Sequence, residues 1–149
     1  MVYYFAYGSN MSLEQMKERC GNLWKKVGIG YVEGYELVFD GYSSTRGGPT
    51  ANMVENPNER VWGVVFEFNS FDDLTNCLDE YEGYPFSYTR KEFGVFLPEM
   101  GKKIKAIAYV RSEPKKRGKP PRSYIETILK GAIENSLPNE WIEYLKKFL

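Results

Sequence analysis

Two stretches of this chain combine residue types that could do chemistry together: a glutamate set among aromatic rings, and a glycine turn at the end of a strand. Glu82 lies in Leu78-Asp79-Glu80-Tyr81-Glu82-Gly83-Tyr84-Pro85-Phe86-Ser87-Tyr88, just past the end of a predicted helix. A carboxylate walled by rings loses hydration, which disfavours its charged form and raises its pKa towards the range useful for proton transfer. Negative charge at a helix C-terminus opposes the helix dipole, so stability alone gives little reason for it. On spacing alone, a solvated acidic helix end fits the segment equally well. The second stretch is Tyr7-Gly8-Ser9-Asn10, which follows the apolar run Val2-Tyr3-Tyr4-Phe5-Ala6 and precedes Ser12 with Gln15 three residues on. Strand, glycine turn and capped helix together point backbone N–H groups outward, ready for an anion or a developing oxyanion. An ordinary tight turn, with Gly8 at positive φ, uses the same residues.

The chain has no histidine. That removes the usual general base, the Ser-His and Cys-His pairs, and the commonest metal ligand. Proton transfer then falls to a carboxylate, tyrosine, lysine or thiol, with a desolvated carboxylate foremost. The two cysteines, Cys20 and Cys77, are too few and too distant for a zinc site, so neither metal nor cofactor is expected. Cys77 falls on the apolar face of a predicted helix and reads as a buried structural thiol, and a cytoplasmic location follows. Basic and acidic residues number 20 each, so no field of one sign recruits nucleic acid or anionic lipid. The start Met1-Val2-Tyr3-Tyr4 has no basic leader region, and no run approaches membrane-spanning length.

Seven strands are predicted, at residues 2–6, 25–32, 35–40, 51–55, 60–69, 88–97 and 103–110. Glu33-Gly34 joins the second to the third, and Asn56-Pro57-Asn58 the fourth to the fifth. One helix opens at Ser12 and stops near Gly21. A second opens at Ser70, with Phe71, Leu74, Cys77 and Leu78 on one face. A capping box at Ser123 and Glu126 opens a third, running to about Asn135, and Pro138 in a first helical position opens a fourth. Clustered strands predict a mixed α+β fold: one domain over 1–149, its six or seven strands curled into a barrel-like sheet with flanking helices.

Two further segments carry less. Arg46-Gly47-Gly48-Pro49, inside a loop at 41–50, lacks the Gly-Lys-Ser/Thr ending of a phosphate loop and reads as a flexible or substrate-lining loop. Lys115-Lys116-Arg117-Gly118-Lys119 has no interleaved aromatic residues for base stacking and reads as a solvated loop, not an RNA site.

The chain resembles the gamma-glutamylcyclotransferase family along nearly its whole length. The resemblance rests on Phe5-Ala6-Tyr7-Gly8-Ser9-Asn10-Met11, on Val61-Trp62-Gly63-Val64-Val65, and on Leu78-Asp79-x-x-Glu82-Gly83 with Pro85, Tyr88 and Arg90. Pro121-x-x-Tyr124, Gly131-Ala132 and Leu137-Pro138 extend it, while Trp141 stands where a tyrosine is expected. The resemblance implies an enzyme that releases 5-oxoproline and an amine from a γ-glutamyl amide, the substrate's own α-amine attacking its γ-carbonyl. It places the general acid–base role on Glu82. Gly8, Ser9 and Asn10 would bind the substrate's carboxylate or the oxyanion, and Tyr7 and Tyr88 would line the pocket, with the Tyr88 hydroxyl towards Glu82. The partner implied is this small molecule, with no nucleic acid and no membrane; a homodimer is left open. A non-catalytic carboxylate and amine binder using the same pocket is the alternative, distinguished by turnover.

Overall fold

The computed structural model covers residues 1–149. The aromatic run Val2–Ala6 forms β1, and the strongly apolar segment after residue 60 forms the far half of β3, Gly48–Phe68. These two pair antiparallel, Val2 opposite Phe68 and Ala6 opposite Val64. β2 (Trp24–Ser43), β4 (Thr89–Leu97) and β5 (Lys102–Val110) complete a closed barrel in the order β1-β3-β2-β4-β5. The barrel shuts where β1 meets β5 in parallel, Tyr4 opposite Ile107. Phe5, Phe66 and Phe68 are among the largest fully buried side chains, joined from the helices by Met16, Leu74, Leu78, Ile125 and Ile128.

The fold class is as expected, but there are five strands, not six or seven. The pairs at 25–32 with 35–40, and 51–55 with 60–69, are each one continuous strand. Pairing runs from Glu33 opposite Arg60 to Tyr35 opposite Glu55, so Gly34 (φ +81°) faces the excursion at 56–59. The residues that look like turns are a bulge, which bends a long strand without ending it. The expected loop at 41–50 shrinks for the same reason: β2 runs to Ser43 and β3 resumes at Gly48, leaving a four-residue hairpin tip.

Four α-helices flank the barrel: α1 (Leu13–Cys20), α2 (Phe71–Glu82), α3 (Arg122–Glu134) and α4 (Asn139–Lys146). Ser12 Oγ accepts the Gln15 N–H at 3.2 Å, and Ser70 Oγ accepts the Asp73 N–H at 3.1 Å, so both predicted caps form. The third does not. α3 opens at Arg122 behind Pro121 with no side-chain cap, because proline there presets the entry and leaves Ser123 inside the first turn. Pro138 likewise stands just before α4 instead of at its first position. None of the helices is long and apolar enough to cross a membrane.

The reading of Cys77 as a buried free thiol is overturned. Cys77 is bonded to Cys20, the last residue of α1, with Cα atoms 5.3 Å apart. The packing of α1 on α2 brings the two thiols together across 57 residues of sequence, and the ground for a cytoplasmic location goes with the free thiol.

α3 crosses the turn after β1 very closely. A Cβ on Gly131 would lie 2.5 Å from both the Met11 carbonyl carbon and the Ser12 nitrogen, which are backbone atoms with little room to give. Gly131→Ala is therefore expected to destabilise the protein by about 1–3 kcal/mol, read from denaturant midpoints. A loss below about 0.5 kcal/mol would mean the crossing is looser than it looks.

Candidate active site

β1 ends at Ala6 and passes through Tyr7 and Gly8 into a 3₁₀ turn, Ser9–Met11, before α1. α2 ends at Glu82 itself, one residue later than expected, because Gly83 takes the left-handed conformation (φ +68°) and caps it by donating to the Asp79 and Glu80 carbonyls. These two ends face each other. Tyr7, Gly8, Ser9, Asn10, Glu82 and Tyr88, all the residues singled out from sequence, line one inner chamber of about 40 Å³. Tyr4, Ala51, Tyr109 and Tyr124 line it too and were not anticipated. Ser9, Glu82, Tyr88 and Tyr124 also border an outer cleft of about 600 Å³, to which Arg19, Arg46 and Arg111 contribute.

Of the three clustered carboxylates, Asp79 is committed elsewhere. It accepts the Tyr109 hydroxyl at 2.5 Å and pairs with Arg90 at 3.4 Å. Glu80 is exposed. Glu82 is partly buried, and no hydrogen bond joins its carboxylate to the protein. Desolvation raises its pKa from 4.5 to about 7, against the opposing pull of Arg19, Arg46 and Arg111. A carboxylate poised near neutrality can take a proton and return it.

The turn is held from behind. Ser9 Oγ accepts from Gln15 Nε2 at 2.8 Å and from Arg46 Nη2 at 3.2 Å. Asn10 Oδ1 accepts from Gln15 Nε2 at 2.7 Å and Arg19 Nη1 at 3.1 Å. Gln15 thus serves the turn, not the reciprocal half of a capping box. The N–H groups of Gly8, Ser9 and Asn10 find no acceptor within the protein. Gly8 sits at φ −117°, so the positive-φ turn is not what selects glycine. A Cβ there would lie 3.4 Å from Ala51 Cβ and 3.5 Å from the Tyr124 hydroxyl, ordinary contacts, so neither backbone strain nor a clash explains the glycine.

Tyr88 lines the chamber, but its hydroxyl does not point at Glu82 as expected. It donates to the Ala51 carbonyl at 2.6 Å and accepts from Thr50 Oγ1 at 2.7 Å. Thr50 in turn accepts from Arg111 Nη2 at 2.9 Å. The single phenol proton goes to a β3 backbone carbonyl, so none is left for the Glu82 carboxylate. Arg111 is itself anchored by Asp40, 3.1 Å away and fully buried. Arg46 comes from the hairpin tip between β2 and β3, so the glycine-rich loop does line the cleft. Trp141 borders a separate groove of about 410 Å³ with Trp62 and Tyr144, so its departure from the expected tyrosine leaves the chamber untouched.

Residues 4–127 match the family described as gamma-glutamyl cyclotransferase, AIG2-like. The human gamma-glutamylcyclotransferase is 33% identical over 148 residues, which cover 96% of this chain and 76% of that protein. The bovine gamma-glutamylcyclotransferase is 32% identical over 149 residues, 97% of this chain and 75% of its own length. A solved structure of a gamma-glutamyl cyclotransferase superposes with a TM-score of 0.89 at 32% identity, covering 97% of this chain and 86% of that one. The Bacillus subtilis protein YkqA gives a TM-score of 0.83 at 25% identity, over 98% of this chain and 53% of that one. With the fold and nearly the whole length in agreement, this chain belongs to the gamma-glutamyl cyclotransferase, AIG2-like family of enzymes.

Proposed function

We propose that this enzyme converts a γ-glutamyl amide into 5-oxoproline and the free amine or amino acid, with Glu82 as both general base and general acid. One observation carries the reading: a desolvated carboxylate with no protein partner shares a chamber with three unfilled backbone N–H groups. The substrate supplies the nucleophile. Its neutral α-amine attacks the γ-carbonyl carbon, the new C–N bond closes a five-membered ring, and the carbonyl π pair moves onto oxygen. Glu82 takes the proton released by the attacking nitrogen. The oxyanion then collapses, the original amide C–N bond breaks, and Glu82 returns the proton to the leaving nitrogen. The N–H groups of Gly8, Ser9 and Asn10 stabilise the oxyanion or hold the substrate carboxylate. Tyr7 and Tyr88 wall the chamber and keep the chain folded for ring closure, where orientation lowers the barrier. No metal or cofactor enters this scheme.

The test is a panel of γ-glutamyl amides, differing in leaving amine, assayed for 5-oxoproline. Release from at least one member is expected, and silence across the panel would sink the reading. The pH profile adds a second check. Glu82 must be ionised to act as the base, so kcat/KM is expected to fall on the acid side through a limb centred near its pKa of about 7. A limb lying instead near the ordinary carboxylate value of 4.5 would point to a solvated acid.

A further inference from the structure

Each hydroxyl carries one proton, and three of the six in the chamber are accounted for; Ser9, whose oxygen accepts twice, borders the outer cleft as well. Tyr7 spends its proton on the Tyr109 carbonyl at 2.6 Å, Tyr88 on the Ala51 carbonyl at 2.6 Å, and Tyr109 on Asp79 Oδ1 at 2.5 Å. Tyr4 differs. Its oxygen lies 2.9 Å from Asn10 Nδ2, and the direction of that bond is forced. Arg19 can only donate, so the Asn10 oxygen it touches must accept, and the amide nitrogen is left to donate to Tyr4. The Tyr4 oxygen is thereby an acceptor, and its own proton has no acceptor anywhere in the protein. Tyr4 is 3% exposed, and an unused donor at that depth is costly unless a ligand takes it.

Tyr124 also keeps a free proton, since its oxygen accepts the Ala51 N–H at 2.9 Å. Its place is different: Tyr124 borders the outer cleft as well, whereas Tyr4 borders only the inner chamber. Through Asn10, Tyr4 is tied to the same turn that presents the free N–H groups.

We propose that Tyr4 is a catalytic residue, its hydroxyl donating a hydrogen bond to the substrate γ-carbonyl oxygen as negative charge develops there. This rests on the cyclotransferase reading of the same chamber. The proton stays on Tyr4 throughout: the oxygen gains the carbonyl π pair when the ring closes and loses it when the amide bond breaks. Burial, and next the nearby charge of Glu82, push the phenol well above its usual pKa, so the donor persists at every working pH. Loss of one such donor lowers kcat by about 10²–10³-fold.

The experiment compares wild type and Tyr4→Phe on a γ-glutamyl amide and on its γ-thioamide, in which sulfur, a poorer acceptor, replaces the oxygen in question. Tyr4→Phe is expected to lower kcat about 100-fold with KM moving less than about threefold. The penalty for sulfur is expected to be smaller in the variant than in wild type, which a merely structural role would not produce. A variant that keeps about a third of kcat, or an equal sulfur penalty in both proteins, overturns the proposal. If Tyr4→Phe fails to fold because Asn10 loses its acceptor, 3-fluorotyrosine at position 4 keeps that acceptor and strengthens the donor. An unchanged kcat there overturns the proposal equally, and a change of about twofold or more supports it. Wild type that is silent on every γ-glutamyl amide removes the cyclotransferase reading and this role together, which separates that failure from an active enzyme indifferent to Tyr4.

Discussion

Glu82→Gln is expected to lose about 10²–10⁴-fold in kcat while remaining folded, with the upper end expected because one group serves both proton transfers. Glutamine keeps the shape and the hydrogen-bonding capacity but cannot take the proton. The same variant is expected to be more stable than wild type above neutral pH. The folded-state pKa of Glu82 is raised from 4.5 to about 7, so folding disfavours its ionised form. That burden is absent below pH 4.5, where the carboxyl is protonated folded or unfolded, and complete above about 7. At about 1.4 kcal/mol per unit, the shift corresponds to at most about 3.5 kcal/mol, and glutamine escapes it. Denaturation of both proteins at pH 4 and pH 8 therefore tests the site without any substrate: the gap opens with rising pH. Glu80→Gln, exposed on the same segment, is expected to leave kcat unchanged and stability within about 0.5 kcal/mol. If Glu82→Gln kept about a third of wild-type kcat, the proton shuttle would have to be another group.

The largest stability effect is expected at Asp40. Its carboxylate is fully buried, lies 3.1 Å from Arg111 Nη1, and accepts from Asn52 Nδ2 at 3.1 Å and the Lys115 N–H at 3.0 Å. Arg111 is itself buried, and it also steadies Thr50 and stacks 4.4 Å from the Tyr88 ring centre. Asp40→Ala strands a buried guanidinium, and breaking a buried pair from one side costs about 3–5 kcal/mol. Denaturant midpoints at unchanged m-value measure it. Asp40→Ala combined with Arg111→Met removes both charges and is expected to recover part of the loss. A single-variant cost under about 1 kcal/mol would show that water or a neighbouring group compensates Arg111. Because Arg111 holds Thr50 against Tyr88, kcat of Asp40→Ala is expected to fall as well, at temperatures where the variant is fully folded.

Much of the chemistry was legible in local sequence. Aromatic and β-branched residues in 2–6, the Gly8 turn, and the Ser12 cap specify backbone conformation within a few residues, and all three appear in the structure at those positions. The aromatic setting of Glu82 and the lack of histidine are equally local facts; they made Glu82 a candidate, and the family resemblance chose it over a solvated helix end. Bulges were misread because Glu33-Gly34 and Asn56-Pro57-Asn58 have turn composition; only the partner strand decides whether the chain reverses or bends, and pairing resumes at Tyr35 opposite Glu55. Cys20 meets Cys77, and Arg46 reaches Ser9, only because the barrel closes and the helices dock, which no local pattern encodes. The direction of each hydroxyl proton was equally out of reach: Tyr88 turns to Ala51, and Tyr4 keeps its proton free, because each oxygen answers to donors and acceptors 6 to 38 residues away. Residue type set which groups could take part in the reaction. Through-space hydrogen bonding, available only once the core had packed, decided which way each of them faces.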